Sequence, residues 1–143
     1  MDRLKILIWH IHGSYLNSLA RIEHDWFLPV KDGRPEGYGG RGPSFDLPDW
    51  VQEVPAGHVR DLDLDLVIYQ TPKNLCEDGP ELLGQRQRQL PGIYLEHNVP
   101  RPDPYASRHP AADAGLLLAH VTHYNRLMWA RSRPASAAGW RLA

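Results

Sequence analysis

Three short stretches release polar side chains directly after runs of core-type residues: ILIWHIHGS (6–14), IYLEHNVPRP (93–102) and LLLAHVTHYN (116–125). The first delivers His12, Gly13 and Ser14, the second Glu96, His97 and Asn98, the third His123 and Asn125. An imidazole can donate, accept or carry a proton near neutral pH, a carboxylate accepts, and an amide does both. Gly13 followed by Ser14 at a helix start would present backbone N–H groups to a phosphate or a sugar hydroxyl. A single such cluster is ordinary turn or cap composition. Its recurrence at three strand ends points to a shared small-molecule cleft, with His12, His97 and His123 facing it.

Other chemistries find less support. HIH (10–12) and HVTH (120–123) bring histidines close, but there is no HExxH and no Cys/His array, so no metal site is expected. His10 and His120 are expected to be satisfied sheet residues. GYGGRGP (37–43) is rich in glycine yet lacks both the Lys-Ser/Thr of a phosphate loop and a GxGxxG spacing, and it reads as a flexible loop. Cys76 is the only cysteine and has no sequence-adjacent base, so it reads as a bystander thiol.

The elements that must position these groups alternate along the chain. Residues 5–11, 26–30, 64–70, 92–96 and 116–121 have the length and β-branched or apolar content of strands. Pro29 makes the second an edge strand or places it at a strand end. Helices are expected from Ser14, as cap, to about Ile22, from Asp78-Gly79-Pro80 to Leu90, and from Thr122 or His123, with Leu127, Met128 and Trp129 inward. Strands this short and apolar need cover on both faces. The pattern predicts an α/β fold, Rossmann-like and doubly wound, around a mostly parallel sheet. Ligands of such sheets bind outside the carboxyl ends of the strands, where the three clusters fall. Residues 31–57 and 99–114 are long loops rich in glycine and proline.

Bulk composition agrees with a single domain of 143 residues, 42% apolar and 23% charged. No apolar run approaches the roughly 20 residues that span a bilayer. The opening MDRLKILIWHIHG lacks a small-residue cleavage site and reads as a first strand, not a leader. A net charge of −1 supplies no field for nucleic acid. One cysteine precludes an internal disulfide and fits a reducing cytoplasm.

The segments KILIWHIHGSYLNSLA, DWFLPVKDGRPEGYGGRGPSFDLPDWVQEVP, DLDLVIYQTPKNL, PGIYLEHNVPRP and HPAADAGLLLAHVTHYNRLMW, in that order, resemble the N-terminal domain of bacterial two-domain glycosyltransferases of the glycogen-synthase-like, retaining type. The resemblance covers residues 4 to about 129. It implies the acceptor side of an interdomain cleft, a nucleotide-diphosphate sugar as donor, an acceptor it does not identify, and no essential metal or other cofactor. It also implies that His12, Gly13 and Ser14 approach the donor phosphates and that His97 contacts or positions the transferred sugar. His123 and Asn125 would match the strand-to-helix junction lining the cleft, while Glu96 and Asn98 are candidates by their place at a strand end.

After residue 129 the sequence changes character. ARSRPASAAGWRLA (130–143) contains no acidic residue and reads as a non-homologous tail, disordered or one extra helical turn. The expectation is a truncated chain, inactive alone for want of a donor-binding domain. An uncovered interdomain face, including Met128, Trp129 and Trp140, would then favour self-association. The alternatives are a stand-alone flavodoxin-like module for a small anionic or sugar ligand, and a histidine-dependent metal hydrolase.

Overall fold

The strands β1 (Lys5–Ile8), β2 (Asp25–Val30), β3 (Val51–Pro55), β4 (Leu66–Tyr69), β5 (Gly92–Glu96) and β6 (Leu117–His120) form one sheet. The computed structural model that carries it describes residues 2–101 and 107–129. All five pairings are parallel and the order is β3-β2-β1-β4-β5-β6. The tail 130–143, with Trp140, lies outside the described residues.

Successive side chains of a strand point to opposite faces, and here both faces are apolar. Leu7, Val67, Tyr69 and Tyr94 pack on one side with Val59, Leu82 and Leu83. Ile6, Ile8, Ile68, Trp26 and Leu28 pack on the other with Leu16 and Ala20, from the helical segment that follows β1. Helical cover on both faces makes the fold doubly wound and Rossmann-like.

Several element boundaries differ from expectation. β1 stops at Ile8 instead of residue 11, because His10 turns away to bridge Gly37 in antiparallel fashion. β2 is not an edge strand: it lies between β1 and β3, with Pro29 near its end, beyond the β1 pairing. The edge on that side is β3, a strand inside the stretch read as a loop. Helix α1 (Gly13–Leu19) is capped by His12 without a side-chain bond, so Ser14 sits inside its first turn and does not cap it. The expected helix from 78 to 90 is broken. A π-turn at Asn74–Asp78 runs into the short α2 (Gly79–Leu82), and the chain then opens before a 3-10 turn at Gln87–Gln89. The buried Gln87 amide donates to the Val59 and Leu62 carbonyls (2.9 and 2.8 Å) and accepts from the Gly84 N–H (2.9 Å), which stabilises the break. Helix α3 (His123–Trp129) buries Trp129 but leaves Leu127 71% exposed, so Leu127 does not face inward.

Long-range polar contacts tie the glycine-rich stretch to the rest of the domain. Arg34 makes a bidentate pair with Glu53 (2.7 and 3.0 Å), and the Arg41 N–H donates to the same carboxylate (2.9 Å). The Arg41 guanidinium donates to the carbonyls of Leu47, Pro48 and Val51. Tyr38, 1% exposed, donates its hydroxyl to Asp78 (2.7 Å), which also receives Lys73 Nζ (2.6 Å) and Asn74 Nδ2 (2.9 Å). Burial raises the Asp78 carboxyl, but the bonds from Lys73, Tyr38 and Asn74 outweigh it and hold the group below its usual range.

Gly40 is the hinge of this clamp. Its φ is +62°, and a Cβ there would fall on the Glu53 carboxylate and crowd Arg34. Gly40→Ala is therefore expected to destabilise the fold by about 2–3 kcal/mol, from left-handed strain plus loss of the Arg34–Glu53 geometry. Urea unfolding checks this; an unchanged midpoint would remove the clamp from the account.

Candidate functional site

A sheet ordered 3-2-1-4-5-6 reverses its winding between β1 and β4, and a crevice opens there beyond the strand ends. β1 sends Trp9, His10, Ile11 and His12 over this edge, β4 sends Gln70, and β5 sends His97. The rings of His12 and His97 lie 4.6 Å apart at 69°, and the Tyr15 ring, from the first turns of α1, lies 4.4 Å from His97. These side chains form a rim at the switch point.

Hydrogen bonds set the chemical state of that rim. The buried Gln70 amide nitrogen donates to the Trp9 carbonyl (2.7 Å), which leaves Gln70 Oε1 facing His97 Nε2 at 2.9 Å. An amide oxygen only accepts, so His97 Nε2 carries the proton and Nδ1 carries a lone pair. His97 Nδ1 is buried and has no hydrogen-bond partner among the described residues. Burial, with His12 adding to it and Glu96 opposing, pushes the His97 imidazole down to about 4. At neutral pH His97 is thus a neutral ring with a fixed tautomer and one unused acceptor.

That shift has a signed consequence for stability. The unfolded imidazole takes up its proton near pH 6.5, whereas the folded one resists it until about pH 4. The contribution is complete above about pH 6.5 and is lost as pH falls from there through 4. His97 is only half-buried, so solvent screening reduces the effect to about 1–2 kcal/mol. The unfolding free energy of wild type minus that of His97→Gln is expected to shrink by this amount between pH 7 and pH 4. A difference that stays constant with pH would contradict the buried neutral imidazole.

The remaining candidates fall in different places. His123 opens α3 as an exposed residue, and no contact joins it to His12 or His97 among the described residues. Its strand, β6, is the outermost, separated from β1 by β4 and β5, so the expected three-histidine convergence is a pair. Asn125 is buried and committed: its Nδ2 donates to the Asn98 carbonyl (2.6 Å) and its Oδ1 accepts from His120 Nδ1 (2.6 Å). It ties α3 to the β5 loop and offers no free amide to the cleft. Glu96, 2% exposed, is similarly engaged by His109 Nε2 (2.8 Å) and by the Asn98 N–H (2.5 Å). Asn98 itself is exposed.

Gly13 is crowded. A Cβ there would stand 2.8 Å from the Phe45 ring, so Phe45 covers the loop that was expected to meet phosphates. Ser14 is exposed, and its carbonyl accepts from Ser18 Oγ (2.9 Å). His10 Nδ1 bonds the Gly40 carbonyl, which ties the end of β1 to the glycine-rich loop. Among the described residues no group of three His, Cys, Asp or Glu side chains is placed to hold a metal ion. No described helix is long and apolar enough to cross a membrane.

Sequence reasoning missed Gln70, Tyr15 as a rim residue, and His109. Gln70 ends VIYQ, an apolar run closing on a polar residue just as the three chosen stretches do, so its signal was present. No protein-family model, curated protein or solved structure matches the chain.

Proposed function

We propose that this chain supplies the acceptor-side, Rossmann-like domain of a glycosyltransferase that moves a sugar from a nucleotide-diphosphate donor, with the His12–Tyr15–His97 rim against the sugar. The observation that carries the reading is the relay from the Trp9 carbonyl through Gln70 to His97 at the switch point of the sheet. It leaves an imidazole nitrogen that can only accept, and a sugar hydroxyl is the natural donor for it. The exposed His12 and Tyr15 rings lie against the His97 ring, the first edge-on and the second tilted, and side chains of this kind change rotamer within nanoseconds, fast enough to admit a ligand.

The chemistry follows from charge. As a sugar leaves a diphosphate, positive charge develops at the anomeric carbon and negative charge on the departing phosphate. A neutral His97 places no positive charge beside that carbon, and it fixes the sugar by its hydroxyl. With its proton lost above about pH 4, His97 does not act as a general acid at neutral pH; its role is positioning. The phosphates and nucleotide need a donor-binding domain across the cleft, because bringing both reactants together supplies much of the rate.

The test joins the chain to the donor-binding domain of a two-domain retaining glycosyltransferase and assays transfer from a panel of nucleotide sugars. Transfer by the fusion, and none by residues 1–143 alone, is the expected result. Robust turnover by residues 1–143 alone would overturn this division of labour. The alternative, a module that binds a small anionic or sugar ligand without chemistry, predicts tight ligand binding at the His12–Tyr15–His97 rim of residues 1–143 and no transfer by the fusion. Its flavodoxin-like form would carry a 2-1-3-4-5 sheet, which differs from the order observed.

A further inference from the structure

Across the sheet from the His97 rim, a cavity of about 580 Å³ opens between the end of β5, the chain that follows it, and α3. Along β5 the side chains alternate, so Tyr94 and Glu96 face this cavity while His97 faces the other way. Tyr94 is 1% exposed, yet its hydroxyl makes no hydrogen bond among the described residues. Glu96 is 2% exposed, and each of its oxygens holds one protein partner, which leaves lone pairs over on both. Trp129 supplies an apolar wall, its ring fixed by the bond from its indole N–H to the Asn98 carbonyl (2.7 Å). At the mouth stand two exposed guanidinium groups, Arg101 and Arg108. Arg108 is paired with Asp113, whereas the Arg101 side chain has no partner among the described residues.

We infer that this cavity is a second ligand site, taking a small hydroxylated anion: a phosphorylated or carboxylated sugar or polyol. The volume is in the usual range for a small-molecule pocket. An apolar ligand would leave the Tyr94 hydroxyl unpaired and the spare lone pairs of the Glu96 carboxylate unused in a desolvated place. A bare anion would reach the arginines but meet repulsion from Glu96 further in. A molecule with its anionic group at Arg101 and its hydroxyls inward satisfies both ends: Tyr94 donates to or accepts from a hydroxyl, and Glu96 accepts one. The inference stands on this cavity and does not need the sugar-transfer reading.

The test is a titration of the purified chain with glucose 6-phosphate, glucuronate, glucose and inorganic phosphate, followed by backbone NMR. Glucose 6-phosphate or glucuronate is expected to bind at least about tenfold more tightly than glucose or phosphate, the tighter one identifying the anion. Arg101→Ala should cost the anionic sugar about tenfold and leave glucose unchanged; Tyr94→Phe should weaken the sugars several-fold and leave phosphate unchanged. Shifts should fall on Tyr94, Glu96, Asn98 and Trp129. Equal binding of all four probes, no binding, insensitivity to both substitutions, or shifts confined to His12, Tyr15 and His97 would each overturn it.

Discussion

Glu96→Ala is expected to lower the unfolding free energy by about 3–5 kcal/mol, the largest stability effect in the described structure. The carboxylate is 2% exposed and holds His109, itself 5% exposed, at 2.8 Å. His109 in turn packs edge-on against Tyr94 and Trp129, with ring centroids 4.8 and 4.6 Å away. Removing the carboxylate strands the buried His109 Nε2, takes the acceptor from the Asn98 N–H and opens a void between them. Glu96→Gln keeps an acceptor for one of the two donors and should cost about 1–2 kcal/mol. Chemical denaturation checks both; similar small losses for the two variants would mean that Glu96 does not pin the loop that returns to β5.

His97→Ala should lower kcat/KM for sugar transfer by about a hundredfold in the chain joined to a donor-binding domain, the size expected for one lost positioning contact in a preorganised site. The relay predicts which replacements recover activity. The asparagine side-chain oxygen occupies roughly the place of an imidazole Nδ1, so His97→Asn should recover part of the loss. The glutamine amide reaches the place of Nε2 and restores only the donor to Gln70, so His97→Gln should recover less. Equal activity of the Asn and Gln variants would remove the acceptor at Nδ1 from the account. On the proposed contact with sugar, the loss should appear in kcat at least as much as in KM.

The fold was legible where chemistry and pattern coincide. The apolar runs at 64–70 and 92–96 are continuous, as strands buried on both faces must be, and both became interior strands. β3 was hidden because VQEVP is half-exposed, ends in proline and sits among glycines and prolines that punctuate loops. What orders that region is long-range: Arg34 and Arg41 reach Glu53, and Tyr38 reaches Asp78, 40 residues away. Spacing along a chain carries no trace of such pairs.

The rim was legible in part for a related reason. That polar groups follow strands is a local fact; which strands are neighbours is a topological one. His12 and His97 meet because the ends of β1 and β5 flank β4, whereas His123 follows the outermost strand. Asn125 and Glu96 looked available in sequence because burial and committed hydrogen bonds are invisible there. The apolar surface assigned to Trp129 lies elsewhere on the same helix: Trp129 is 7% exposed, Met128 is half-buried, and Tyr124 and Leu127 are 64% and 71% exposed.

The most direct measurement is the nitrogen NMR spectrum of the His97 ring in the chain joined to a donor-binding domain, recorded across pH and with a panel of nucleotide sugars and simple glycans. The account predicts an Nε2–H tautomer that stays neutral down to about pH 4, and an Nδ1 resonance that moves when a sugar hydroxyl bonds to it. A ring that protonates near pH 6.5, or an Nδ1 resonance that no sugar in the panel displaces, would contradict it.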